Sequence, residues 1–475
     1  MSRNYYVINP NAQPSDGKVS YDNNSTNLTF NIQESNTEMF VGGSMKLTFT
    51  FKIFDGNTLE QVIEQVSVSP QCGLHGLIQS VDVFSYSTNT SLHSTKQYGR
   101  LVSSVYSVGM ADLYDVSNGL QQSALSNGVE YNAANVGIYN SGSPTEPQAY
   151  SIRPLVGLLE QNLYLGNTLR QGTGGLKVNF VLQSNGQALT RLDNPNTGYT
   201  YELENIRLMY QTITMTEEEQ SAGILKNDFV ESYVDMVRNM DNRQPGKDEI
   251  ESNWSRRSQS NTAPLKWKDY SGYLATIESD NSNVNLNIGL SKVHSVFANF
   301  VQSDYLNNLT TDLADSNKTY EILDTNNDVV PFDKVVFTKG NQLFPYQYNL
   351  SSNISEQNYV AADDHTSDTR AEIVKSYLDS VVPYVDNKYQ QASIGNSLWF
   401  NQFRPYCFDD ECGGKGAGIG FNCSVLDGSS DFQFQPLGIQ IDSKNPGTFQ
   451  NTSAFIYALA EREMNWSNGA ISVSS

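Results

Sequence analysis

The chain has 475 residues, with 17% charged and 11% aromatic side chains, and its acidic residues outnumber its basic residues 51 to 30. The formal charge of −21 would repel nucleic acid and anionic lipid over most of the surface, which argues against direct genome binding. Four cysteines are too few for a disulfide-stapled scaffold, and no apolar run approaches the roughly 20 residues of a membrane helix. With no apolar signal core at the N-terminus, we expect a protein that is soluble when made.

Short runs of alternating apolar and polar residues fill the first half. The clearest run, from Met45 to Ile53, places its apolar side chains on one face and predicts a half-buried strand. The polar stretch from Val108 to Pro147 is longer than an ordinary connection and predicts a surface excursion. Strands at short spacing with Gly, Pro and Asn turns indicate an antiparallel sandwich. The other predicted strands lie at 27–33, 62–68, 77–86 and 176–182.

The strand that closes the first half changes phase along its length. Its apolar residues occupy odd-numbered positions as far as Leu203 and even-numbered positions from Ile206 to Tyr210. One extra residue between the two phases accounts for the change. We therefore predict a β-bulge at Glu204–Asn205.

A helix and a linker are predicted between the two halves. Thr216 and Glu219 have the spacing of a capping box, in which a hydroxyl and a carboxylate each satisfy a free backbone N–H. From Asp241 the sequence is polar and broken by proline and glycine, so it predicts a linker over 241–264. Before that linker, apolar residues recur every three or four positions and define one helical face: Ala222, Leu225, Phe229, Tyr233, Met236 and Met240.

Alternating strands resume in the second half. A polar region begins at Asp304, and a helix is predicted from about Ala371 to Pro383, where proline should end or kink it. A strand at 432–441 contains Pro436 and is expected at an edge or a bulge. The other predicted strands lie at 273–278, 284–290, 335–338, 346–350, 419–425 and 454–466.

The two halves appear in the sequence as copies of one design. Each has strands, a long polar excursion, a helix and closing strands in the same order. The closing segments YELENIRLMY and YALAEREMNW align Tyr201 with Tyr457. We predict a first domain at 1–240 that includes the closing helix, the linker at 241–264 and a second domain at 265–475.

Three segments of the first half carry a resemblance to a known family. LIQSVDVFSY with the tyrosine-bearing segment after it, SIRPLVGLLEQNLYLGNTL before a strand, and the closing YELENIRLMYQTITM resemble the double jelly-roll major capsid proteins. That family includes proteins of tailless phages, adenovirus-like viruses, virophages, polinton-like viruses and large eukaryotic DNA viruses. The resemblance implies an all-β fold of two tandem eight-stranded antiparallel jelly rolls with a few short helices.

The resemblance also implies a function and partners. A member of this family is a structural protein of the virion capsid that assembles inside the host cell. Three chains form a pseudo-hexameric homotrimer, and these capsomers tile an icosahedral shell of a double-stranded DNA virus. The expected partners are other copies of the chain, penton and minor capsid proteins, and any internal membrane with its associated proteins, without direct contact to nucleic acid.

The search for chemistry finds no catalytic, cofactor or metal site. The histidines are far apart in sequence and lack metal-binding spacing, so each is expected to be a lone structural residue. The spacing of Cys407, Cys412 and Cys423 does not fit a zinc site, and Cys423 has the apolar phase of a strand. The glycines at 413–420 lack the ending of a phosphate loop, and 324–329 lacks the glycine of an EF-hand. The four histidines are His75, His93, His294 and His365.

Two functions of other classes compete with the capsid interpretation. The Tyr, Trp and Asn content also suits a β-sandwich carbohydrate-binding adhesin or spike protein, which would show an exposed aromatic platform. A sandwich-fold glycosidase would need two carboxylates about 5 to 10 Å apart in a cleft. We expect a structural protein, not an enzyme, because no nucleophile, base or cofactor motif is present.

Overall fold

The structure is a computed structural model of the chain. It describes residues 2–12, 17–20, 26–55, 66–68, 73–105, 149–167, 172–191, 199–259, 264–277, 279, 281–302, 334–345, 376, 379–381, 418–423, 428–442, 452–467 and 470–474.

Two antiparallel sheets form the first half. In one sheet the strands run in the order β1, β13, β5 and β9. The short strands β2 and β4 also pair with β13, and β10 pairs with β4. In the other sheet the order is β3, β11, β7 and β8, while β6 and β12 pair separately. The strands are β1 (Arg3–Ile8), β2 (Lys18–Val19), β3 (Asn27–Ile32), β4 (Glu38–Phe40), β5 (Lys46–Asp55), β6 (Val66–Val68), β7 (Ile78–Ser85), β8 (Ser91–Lys96), β9 (Ala149–Ile152), β10 (Leu163–Tyr164), β11 (Leu176–Leu182), β12 (Leu189–Arg191) and β13 (Tyr199–Thr214).

The second half repeats this strand order. One sheet runs β14, β21, β16, β19, and the other runs β15, β20, β17, β18, with β22 paired to β21. The long closing strand β13 lies between β1 and β5, its counterpart β21 lies between β14 and β16, and all of these pairs are antiparallel. The strands are β14 (Leu265–Ile277), β15 (Asn281–Leu286), β16 (Val293–Gln302), β17 (Lys334–Lys339), β18 (Gln342–Leu343), β19 (Gly418–Asn422), β20 (Leu437–Asp442), β21 (Thr452–Ser467) and β22 (Ala470–Ser474).

This shared order defines two jelly rolls in tandem. The strands β1, β13, β5 and β9 correspond to β14, β21, β16 and β19, and β3, β11, β7 and β8 correspond to β15, β20, β17 and β18, so the prediction of two tandem antiparallel jelly rolls is confirmed. Alternation explains how the sheets bury their cores: β11 is buried at every second residue from Leu176 to Leu182. A fully buried side chain such as Phe180 contributes about 1.5–3 kcal/mol relative to an exposed one.

The predicted β-bulge is present in β13. The pairing with β5 shifts register between Glu204 and Arg207. Asn205 occupies the left-handed region with φ 53° and its side chain is exposed. The bulge lets both Leu203 and Ile206 point into the core, since each is no more than 1% exposed.

The helix predicted from Thr216 begins as expected but ends early. Its first turn has the complete capping box between Thr216 and Glu219. Gly223 then adopts a left-handed conformation with φ 67° and terminates this helix. The prediction of a single helix to Met240 is therefore wrong. The described helices are α1 (Tyr98–Val105), α2 (Asn185–Ala188), α3 (Glu217–Ala222), α4 (Lys226–Asp241) and α5 (Lys247–Gln259), besides two short 3₁₀ helices at Gly73–Leu77 and Gly157–Glu160.

The segment predicted as a linker over 241–264 contains α5, so the expectation of an unstructured tether is wrong for this part. Trp254 of α5 is only 2% exposed. Its ring packs edge-on against Phe229 of α4, with centroids 5.3 Å apart. One buried tryptophan against a neighbouring helix stabilises a segment whose own sequence is almost entirely polar. The division at 1–240 and 265–475 remains a prediction.

Several predictions fall on residues outside the described part of the chain. These are the excursion at 108–147, the polar region 304–328, the strand at 346–350 and most of the helix predicted from 371. The strand that was expected over 432–441 begins at Leu437, after Pro436, because proline cannot donate to the ladder. Among the described residues, no helix is long and apolar enough to cross a membrane.

We predict that the left-handed position in the bulge tolerates glycine but not a β-branched residue. Asn205→Val should lower the free energy of unfolding by about 1–2 kcal/mol, because a side chain with Cβ branching is strained at positive φ. Asn205→Gly is the matched control and should change it by less than about 0.5 kcal/mol. Urea unfolding of the two variants measures the difference, and an equal effect of both would contradict the assignment of strain.

Candidate functional site: the junction between the two jelly rolls

The histidines and cysteines singled out in the sequence do not meet in the described structure. His75 is fully buried, its Nδ1 lies 3.0 Å from the Tyr98 hydroxyl, and burial lowers its pKa to about 3. His294 contacts the backbone carbonyl of Gly428 at 2.8 Å, and burial lowers its pKa. Among the described residues no group of three or more His, Cys, Asp or Glu could hold a metal ion. His365, Cys72, Cys407 and Cys412 lie outside the described residues.

Cys423 occupies the apolar phase that its sequence predicted. Its side chain is 2% exposed and belongs to the core of the second half. Burial raises the pKa of the thiol to about 12, so the thiol is neutral at physiological pH. The residue fills the core and offers no thiolate.

The most extensive constellation of polar groups lies where the two sandwiches meet. The core of the first half continues across this junction into the second half without interruption. Side chains of β14, β16 and β21 join it, including Trp267, Phe297 and Tyr457. The apolar core of the first jelly roll therefore extends onto one face of the second, which also has a separate core between its own two sheets.

The carboxylate of Asp269 is at the centre of the junction. Asp269 is 3% exposed, and its Oδ2 accepts hydrogen bonds from the Nδ1 of His93 and, at 3.2 Å, from the Nε1 of Trp267. Its Oδ1 accepts from the backbone N–H of Gly157 at 3.3 Å and of Tyr270 at 3.0 Å. Four donors on two oxygens satisfy a charge that would otherwise be costly to bury.

His93 links this carboxylate to the first half. Because an ionised carboxylate only accepts hydrogen bonds, the Nδ1 of His93 carries the proton shared with Asp269. The other ring nitrogen, Nε2, lies 2.7 Å from the hydroxyl of Thr95, which is fully buried. The chain Thr95–His93–Asp269–Trp267 crosses from β8 to β14 and fixes the orientation of each member.

Further polar contacts surround this chain. The hydroxyl of Tyr457 donates to the carbonyl of Gln97 at 2.9 Å, and the guanidinium of Arg100 lies 4.4 Å from the centre of the Phe455 ring. Asn299 donates to the Ser104 hydroxyl, and the indole N–H of Trp466 donates to the carbonyl of Gly172. These contacts connect Gln97, α1 and Gly172 with the strands β16 and β21 of the second half. They resist rotation of one sandwich against the other.

The close approach at the junction requires a glycine. A Cβ placed on Gly157 would lie 1.8 Å from the carbonyl oxygen of Lys268, which is closer than any real contact. The same glycine donates its N–H to Asp269. No other residue type fits between the 3₁₀ helix at Gly157–Glu160 and β14 without separating them.

Sequence reasoning missed the pairing of His93 with Asp269. The two residues are 176 positions apart and lie in different halves. The sequence did contain one signal of this pairing. Asp269 lies two residues from Trp267 and from Ser271 in β14, so the three side chains lie on the same face of the strand. A charged residue at an inward position requires a buried partner.

Solved structures share this architecture. PBCV-1 VP54, fitted into a cryo-EM reconstruction of the virophage Sputnik, matches with a TM-score of 0.52 at 10% identity over 100% of this chain and 97% of that chain. A chain of the Sputnik virophage structure matches with a TM-score of 0.51 at 11% identity over 100% and 88%. The Faustovirus major capsid protein matches with a TM-score of 0.50 at 9% identity over 98% and 90%. No protein-family model and no curated protein matches the sequence.

These matches and the strand order together define the class of the molecule. The described strands of both halves form the double jelly-roll fold, as the resemblance in sequence implied, and the matches extend over 100% of this chain. At identities of 9–11% the similarity establishes the fold and leaves the function to be argued from this chain.

We predict that the junction depends on the Asp269 carboxylate. Asp269→Ala should lower the free energy of unfolding by about 3–5 kcal/mol, because it leaves four buried donors without their acceptor. The exposed ion pair between Lys226 and Glu251, 3.3 Å apart, provides the control, since Glu251→Ala should cost less than about 1 kcal/mol. Chemical denaturation measures both, and a loss at Asp269 no larger than at Glu251 would show that the network is dispensable.

We also predict that the junction excludes a methyl group at position 157. Gly157→Ala should destabilise the protein by about 1–3 kcal/mol or more, because the backbone of β14 must move away. Gly246→Ala is the matched control, as no atom lies within 4 Å of a Cβ built there. Thermal unfolding monitored by calorimetry tests the pair. Equal melting temperatures for both variants would be incompatible with the observed approach.

Proposed function

We propose that this protein is the major capsid protein of an icosahedral virus. The observation that carries the proposal is the repetition of one strand order in two sandwiches that are joined by a continuous apolar junction. Three such chains around a threefold axis present six similar sandwiches, which approximates the sixfold packing that a flat shell facet needs. The similarity to the Faustovirus major capsid protein and to capsid structures supports the same role.

The rigidity of the junction supports this role, because a capsomer that repeats across a shell must keep the same shape at every position. A buried, fully hydrogen-bonded carboxylate and an apolar junction hold the two sandwiches in one orientation. A flexible connection would allow the six positions around each capsomer to vary. The rigid pair instead gives each trimer one geometry that can repeat across a facet.

The sheet edges offer surfaces for self-association. In the described part of the chain, β1 and β14 occupy equivalent positions and each pairs with a strand on one side only. Both expose apolar side chains: Tyr5 is 71% exposed, Val7 51% and Leu274 57%. Unpaired edges with exposed apolar residues favour contact with another copy.

The proposal includes a homotrimer as the assembly unit and a place in the virion capsid after assembly inside the host cell. Contacts between capsomers complete the shell, and penton and minor capsid proteins fill its vertices and seams. An internal membrane with its associated proteins, where the virus has one, is the remaining partner. The role is structural and not enzymatic, and the net charge of −21 disfavours direct contact with the genome.

We predict that the purified protein is a trimer. Native mass spectrometry should give a mass about three times that of the 52.8 kDa chain, and negative-stain images should show hexagonal outlines. The double variant Tyr5→Asp and Val7→Asp should weaken the trimer about tenfold or more, because it places carboxylates in an apolar contact.

Met240→Asp serves as the control for this experiment. Met240 is 77% exposed on α4, which belongs to neither sheet, and its substitution should leave the trimer intact. A wild-type protein that stays monomeric at high concentration and forms no lattice would refute the capsid proposal and favour the adhesin.

A further inference from the structure

A groove lies on the outer face of the sheet that contains β3 and β11. Asn27, Thr29 and Asn31 of β3 point outward and line it. The register places Lys177 of β11 directly beside Asn31. The groove has a volume of about 460 Å³, which lies in the range of about 300–1,000 Å³ typical of small-molecule sites.

Amide side chains dominate the lining. Asn11 and Asn89 contribute to it together with Asn27 and Asn31. Each amide offers one acceptor oxygen and two N–H donors. Among the described residues no carboxylate lines the groove, although acidic residues outnumber basic residues 51 to 30 in the chain. The surface therefore suits an uncharged ligand with many hydroxyl groups.

Several of these groups are held in place before a ligand binds. The Nζ of Lys177 donates to the Oδ1 of Asn89 at 3.3 Å and lies 5.7 Å from the centre of the Phe84 ring. Asn89 has a left-handed backbone with φ 55° in the tight turn between β7 and β8. The hydroxyl of Thr29 donates to Asn179 at 3.0 Å. Fixed side chains lose little conformational entropy on binding.

Asn31 offers an acceptor that the protein itself does not use. Its Oδ1 is shielded from solvent and accepts no hydrogen bond from another described residue. A buried acceptor without a donor costs about 1–3 kcal/mol, and a ligand hydroxyl recovers this free energy once the Asn31 side chain rotates so that its Oδ1 faces the groove. Tyr86 lines the same groove and is 41% exposed. Its ring can cover the apolar C–H face of a sugar.

We propose that this groove binds a short neutral saccharide. Sugar hydroxyls donate and accept hydrogen bonds at once, as the amides do, and Tyr86 supplies the single aromatic surface. An extended peptide fits less well, because peptide recognition uses apolar pockets for alternate side chains and Ala12 is the only aliphatic residue among the described residues of the lining. The site belongs to one chain and does not require the trimer.

Saturation-transfer NMR and titration calorimetry on the purified full chain test the proposal. The probes are maltotriose, cellotriose and N,N′,N″-triacetylchitotriose. At least one should bind saturably with a Kd of about 1 mM or tighter. Asn31→Ala and Tyr86→Ala should each weaken that binding about tenfold, while the melting temperature stays close to that of the wild type.

Phe434→Ala is the matched control. Phe434 is a 90% exposed aromatic residue in the second half, and its substitution should leave the affinity unchanged. The proposal is overturned if none of the three sugars binds, if the Asn31 and Tyr86 variants bind as well as the wild type, or if a short Ala/Ser peptide competes for these residues while the sugars do not. If the protein binds a sugar but is a monomer, the saccharide site is supported and only the proposed capsid role is refuted.

Discussion

The buried carboxylate of Asp269 constrains the whole molecule. A charge at 3% exposure is tolerable only where donors surround it, and here the donors come from both jelly rolls. Moving one sandwich relative to the other would break hydrogen bonds in a region that water cannot enter. The geometry of the pair is therefore set by electrostatics as well as by apolar packing. Gly157 adds a steric condition, since β14 passes too close for any side chain.

Duplication explains the architecture, and divergence explains how the halves differ. The same strand order serves both sandwiches, but only the first half carries its register shift in the closing strand, at Glu204. In the second half the irregularity lies in the neighbouring strand, between Val293 and Ser295. The aligned tyrosines also make different contacts, because Tyr201 bonds within its own half and Tyr457 bonds across the junction. The two copies of the fold therefore differ in where their strands are irregular and in which half their closing strands contact.

Local patterns predicted those features whose causes are local. The phase change between Leu203 and Ile206 gave the bulge, because side chains must alternate across a sheet. The spacing of Thr216 and Glu219 gave the cap, since its hydrogen bonds span three residues. The same reasoning failed at Gly223 and at α5. An apolar repeat cannot reveal a break that one left-handed residue imposes, and a polar segment cannot reveal that Trp254 packs on Phe229.

The sequence alone determined the class of fold, the duplication and most strand positions, because burial on one side of a sheet leaves a period of two in the chain. Only the tertiary structure decided that His93 meets Asp269, that the apolar core of the first half extends onto the second half, and that four asparagine side chains from strands and turns line one groove. These features join residues far apart in the chain. Their pairing depends on how sheets stack and which faces they share, and no local pattern encodes that choice.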